Sequence, residues 1–95
     1  LPPLARDLLE ALPEPALLIQ AERLLAVNSA AQQLLGRRPM GTDIRLVIRQ
    51  PQALAAILSS RPQELEVTGI GGVDRSWAVT LRVVDGGVLL LRLAE

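Results

Sequence analysis

The chain of 95 residues contains no cysteine, histidine, tyrosine, phenylalanine or lysine, and only one tryptophan, Trp77, and one methionine, Met40. Without cysteine there is no disulfide and no thiolate, and a small thiol-free domain suits a reducing compartment, so a cytoplasmic setting is expected. Without histidine there is no imidazole to act as a general base near neutral pH, to accept a phosphoryl group or to bind a metal. With tyrosine also missing, most nucleophilic and acid–base mechanisms are removed, and the expectation is a domain that is not an enzyme. A lone aromatic offers no stacking platform for single-stranded nucleic acid. Ten arginines balance ten acidic residues, for a net charge of zero, so no field draws a polyanion. Neither nucleic acid nor an anionic membrane surface is an expected partner. Apolar runs are short, far below the roughly twenty residues that span a bilayer.

What is present suits one globular domain. Hydrophobic residues make up 49% of the chain and charged residues 21%, and a domain of this length buries only about two-thirds of its unfolded surface, so the core must be compact. In "LPPLARDLLEAL", Leu1, Leu4, Leu8 and Leu12 fall on one helical stripe, with two prolines where a first turn tolerates them; the spacing predicts an amphipathic helix over 1–12. Pro13 stops that helix and Pro15 biases Glu14 towards extended geometry. "ALLIQ" and "RLLAV" then read as two strands joined by a turn near Ala21 and Glu22, the first apolar on both faces and therefore central.

Asn28 marks a change of period. Apolar residues alternate as a strand before it and recur at helical intervals through Ala31, Leu34 and Leu35 after it, so its amide is placed to end the strand and cap the helix. Gly36 is expected to close that helix as a left-handed cap. Thr42 or Asp43 can cap a short helix over 44–49, and Pro51 suits the first turn of another over 52–60. The last third alternates. Leu65 and Val67 share one strand face against Glu64, Glu66 and Thr68, and Trp77, Val79, Leu81 and Val83 share a face of the next; "DGG" at 85–87 then turns into "VLLLRLA", a second central strand. Five antiparallel strands with helices gathered on one face make an α+β fold, a single domain with its core over 16–94.

This order, with the residues of "LPEPALLIQAERLLAVNSAAQQLLG", resembles the PAS domain, and with "DIRLVIRQPQALAAI" it resembles the cytoplasmic PAS domain of phosphate-regulon-type sensor histidine kinases. The resemblance implies a PAS-like five-stranded antiparallel sheet with short helices on one face and an N-terminal amphipathic helix. It also implies a signal-input and dimerising module upstream of a kinase core, hence one part of a longer two-component signalling protein, a transferase whose parent chain can be membrane-anchored. The kinase domains of that parent would be its partners. Family members that bind haem commonly use a histidine and those with covalent chromophore chemistry a cysteine, so no cofactor is expected here. Many members finish the last strand with Asp-x-Thr, which "LRLAE" lacks.

Several residues allow a sharper reading, and in each case the plainer one is favoured. Trp77 suits core packing better than a pocket wall. Arg45 and Arg49, four residues apart on the expected short helix, could clamp a carboxylate, but solvated arginines are the expectation. "GIGG" at 69–72 lacks the Lys-Ser/Thr end of a phosphate loop and leads into a strand.

Two functional classes remain. One is a cofactor-free module that pairs as a homodimer through Leu4, Leu8 and Leu12. The other is a small-molecule sensor with an apolar cavity lined by Ile44, Val47, Ile48, Leu54, Ile57, Leu58, Val67, Val79 and Leu81. The first is favoured, because apolar residues alone fill a core of this size.

Overall fold

The computed structural model describes residues 3–95, and Leu1 of the expected leucine stripe lies outside them. The chain runs α1 (Pro3–Glu10), β1 (Ala16–Gln20), β2 (Arg23–Val27), α2 (Ser29–Leu35), a 3-10 turn (Ile44–Leu46), α3 (Pro51–Ser59), β3 (Gln63–Thr68), β4 (Ser76–Asp85) and β5 (Val88–Ala94). The strands form one antiparallel sheet in the order β2-β1-β5-β4-β3. The strands expected to be central, β1 and β5, lie side by side, with Leu17 opposite Leu91 and Leu18 opposite Leu90.

Alternation along the strands divides the sheet into two faces. On the inner face Leu17, Ile19, Val79, Leu81, Leu91 and Leu93 enter the main core with Ala31 of α2, Ile44 and Ile48 of the middle segment, and Ala53 and Ile57 of α3. On the outer face Ala16 and Ala26 make a second, smaller cluster with Leu9 of α1, against which Leu12, Leu18 and Leu90 are partly buried. α1 therefore covers the face opposite the other helices.

The local structure departs from expectation in two places, and the expected turn near Ala21 and Glu22 forms without glycine. The helix expected over 44–49 shortens to a single 3-10 turn capped by Asp43, whose carboxylate accepts from the backbone N–H of Arg45 at 2.9 Å. Pro51 then holds Gln50 extended at φ −67°, ψ 123°, so the segment does not run on into α3 as one helix. Gly36 does leave α2 with a positive φ of 82°, but its ψ of 168° is extended, so the chain departs straight rather than in a left-handed cap. The β1–β2 turn puts both Ala21 (φ 51°) and Glu22 (φ 64°) in the left-handed region, the geometry of a mirror-image two-residue hairpin made here without glycine.

Candidate functional site

Asn28 sits where α1, β1, β2 and α2 meet, and its side chain is 1% exposed. Its Oδ1 accepts from Ala31 N–H at 3.0 Å, the expected helix cap, and also from Ala16 N–H at 3.0 Å at the start of β1. Its Nδ2 donates two hydrogens among three carbonyls, of Leu9 (3.3 Å), Leu12 (3.2 Å) and Glu14 (2.8 Å), one hydrogen being shared. The amide is thus fully engaged. One side chain fastens the end of α1 and the link after it to the first turn of α2. A second fastener lies outside it, where Glu10 Oε1 accepts from Ser29 N–H at 3.0 Å, and Ser29, by its side chain and its backbone N–H, holds the Glu10 carboxyl below its ordinary pKa.

α1 is an eight-residue helix, too short to persist alone in water. What anchors it besides these bonds is Leu9, 5% exposed on the outer face of the sheet. Leu4 and Leu8 point away, 70% and 62% exposed, while Leu12 is partly buried on the chain's own sheet. The three leucines of the expected pairing face are therefore divided. Two stand in solvent, and the third shares its contacts with Leu18 and Leu90.

Of the nine residues expected to line a cavity, the fold brings eight together. Ile44, Ile48, Ile57, Val67, Val79 and Leu81 are buried in the main core, and Val47 and Leu54 pack partly against it. Leu58 faces outward at 40% exposure, because Ile57 and Ala53 occupy the inward side of α3. A depression of about 410 Å³ reaches this core from the turn end of the sheet, with Ile19, Ile57 and Leu89 as its floor and Gln20, Glu22 and Ser60 among its rim.

Arg45 and Arg49 do not converge. Arg45 pairs with Glu22 at 2.6 Å and with Asp43 at 3.2 Å, and with the helix reduced to one turn the four-residue spacing no longer places Arg49 beside it. The backbone N–H of Arg45, more than its guanidinium, holds the Asp43 carboxyl below its ordinary pKa. Trp77 is buried as expected, its indole N–H donating to the Ile70 carbonyl at 2.7 Å and the Arg75 guanidinium lying 4.6 Å over its ring. Arg75 also grips Glu95 through two bonds of 2.8 Å, and Arg92 donates to Glu14 at 2.7 Å. Between these pairs a groove of about 500 Å³ opens, floored by Pro15, Leu34 and Leu93. Among the described residues no group of three or more acidic side chains stands close enough to hold a metal ion, and no helix is long and apolar enough to cross a membrane.

A family model described as PAS domain matches residues 4–68, from the first turns of α1 to the end of β3. The chain belongs to the PAS domain family. Solved structures agree in fold. The LOV protein of Rhodobacter sphaeroides superposes with a TM-score of 0.69 at 17% identity, over 94% of this chain and 63% of that one. The RsLOV d2 variant gives 0.71 at 17% identity, over 94% and 62%. A domain of the sensory box sensor histidine kinase/response regulator from Geobacter sulfurreducens gives 0.64 at 20% identity, over 97% of this chain and 91% of that domain. This PAS domain thus spans less than two-thirds of the LOV chains but nearly the whole of the kinase-derived domain. No curated protein matches it. PAS domains are in general sensory and non-catalytic, and this chain is a PAS sensory domain.

Proposed function

We propose that this PAS domain is the cytoplasmic signal-input and pairing module of a sensor histidine kinase, joining two copies through α1 and passing a conformational bias to a kinase core outside the chain. The observation that carries the reading is α1 itself. It is fixed to the sheet by Leu9 and the Asn28 bonds, yet it holds Leu4 and Leu8 out to solvent, on a face of the sheet where Leu18 and Leu90 are only partly buried. Apolar side chains displayed together on a fixed short helix are stabilised by burial against a second copy, and a two-fold pair closes the surface on itself. A bias in the position of α1 reaches the inner face through α2, because Asn28 and Glu10 bond both helices. The match over 97% of this chain to a domain of a sensor histidine kinase/response regulator supports the kinase setting.

A second reading, a small-molecule sensor, draws on the depression over Ile19, Ile57 and Leu89 and on the fold shared with LOV proteins. Native mass spectrometry of the purified chain separates the two. Pairing alone gives a species at twice the chain mass with nothing added, and a retained small molecule gives a reproducible mass increment. A monomer that carries such an increment would overturn the first reading in favour of the second.

A further inference from the structure

The two edges of the sheet are finished differently. At β2 the chain seals its own edge: the segment after α2 returns so that Gly41 N–H donates to the Leu24 carbonyl, Leu24 N–H donates to the Thr42 carbonyl, and Arg23 bridges to Asp43. At the far side β3 is the last strand, and among the described residues no strand pairs with its outer edge. Alternate backbone N–H and C=O groups of an edge strand point outward, a template for another extended segment. Between this edge and α3 runs a groove of about 460 Å³, with Ala55, Ala56 and Leu65 as its apolar lining, Glu66 on the β3 side and Arg61 at one end.

From this edge and groove we infer that β3 is a docking site for an extended peptide segment of a partner protein, which adds a sixth strand with small apolar side chains against Ala55, Ala56 and Leu65 and basic side chains beside Glu64 and Glu66. Charge decides the occupant. Glu64 and Glu66 are exposed on the same strand face, and neither is in an ion pair among the described residues; Glu66 accepts only from the Ser76 hydroxyl, at 3.2 Å. A second copy of β3 laid antiparallel against the first would set glutamates against glutamates, which is destabilising across a strand pair, whereas arginine or lysine there is favourable. The six residues of β3 offer about 20 Å of edge, enough for a segment of similar length. The site is independent of pairing through α1, which uses the opposite half of the sheet.

The test uses the 95-residue chain and a capped hexapeptide alternating arginine and valine, followed by amide NMR shifts and titration. The expected result is a set of shifts confined to β3 and α3, with Kd below about 1 mM. Affinity should fall about tenfold or more in the chain carrying both Glu64→Gln and Glu66→Gln, and binding should be lost in Ala55→Leu, which fills the groove from an exposed position without touching the core. A glutamate–valine hexapeptide should not bind. Absence of binding by the arginine peptide overturns the inference. So does equal binding by the same peptide with its backbone N-methylated, since attraction by charge alone needs no strand pairing, and so does binding that survives Ala55→Leu.

Discussion

At the scale of the residue, Asn28 shows how one amide can hold three elements. As a helix cap alone it would be worth about 1 kcal/mol. It also satisfies Ala16 N–H and the carbonyls of Leu9, Leu12 and Glu14 in a buried place, and removing one partner of a buried bond leaves the other unpaired at about 1–3 kcal/mol. Asn28→Ala is therefore expected to lower stability by about 2–4 kcal/mol in urea titration, clearly more than a lost cap. Asn28→Asp keeps both acceptor bonds but turns a carboxylate towards three carbonyls. It should release α1, seen as faster hydrogen exchange in residues 3–12, while the first turn of α2 stays protected. Uniform loss of protection across both helices would contradict the division of labour given to Oδ1 and Nδ2. The cap was legible in the sequence because it acts over three residues. The bonds to α1 and the link after it span 14 to 19 residues, and no local spacing reports them.

At the scale of the element, α1 divides its leucines in a way that period alone does not decide. Leu8 and Leu9 are neighbours at 100° on the helix, and either stripe would cover a sheet. The fold selects Leu9 because the turn at 13–15 and the Asn28 bonds set how α1 lies across Ala16 and Ala26. Leu9→Ala is expected to cost about 2–3 kcal/mol of folding stability, while Leu8→Ala, at 62% exposure, should change the stability of the monomer by no more than about 0.5 kcal/mol. Urea unfolding under dilute, monomeric conditions checks both, and an equal cost for the two would contradict the placement of α1. The strands, by contrast, were largely legible: alternation named the inward residues of β3 and, in β4, Trp77, Val79 and Leu81, and two-sided apolarity named β1 and β5 as central, because a pleat commits side chains with a period of two. Val83, expected on the same face, is instead 47% exposed beside the register irregularity near the end of β4. The middle segment was read too helically. There the cap at Asp43 was legible, but the apolar spacing of Ile44, Val47 and Ile48 did not carry the helix past Leu46. The sealing of the β2 edge by residues 41–43 has no sequence signal of its own, since it depends on where the chain returns in space.

At the scale of the whole molecule, the ionic chemistry is confined to the surface. Four carboxyls lie below their ordinary pKa: Glu10 through Ser29, Glu14 through its own backbone N–H and then Arg92, Asp43 through Arg45, and Glu95 through Arg75. Each has a folded pKa below its unfolded one, so the stability it lends is complete above the ordinary carboxylate range and is lost as pH falls through that range and on through the folded values. No side chain of histidine or cysteine titrates between them and the basic region. Stability is therefore expected to be flat from about pH 6 to 8 and to decline below about pH 4.5, by little for each exposed pair. The urea midpoint followed against pH checks this, and a step near pH 6.5 would contradict it.

Pairing through α1 is the central claim, and sedimentation velocity over a concentration series tests it most directly. The wild-type chain should sediment as a dimer at tens of micromolar, and the chain carrying both Leu4→Glu and Leu8→Glu should sediment as a folded monomer with an unchanged circular dichroism spectrum. A wild-type monomer at that concentration, or a dimer indifferent to the two substitutions, would contradict it and leave α1 as a cover for its own sheet alone.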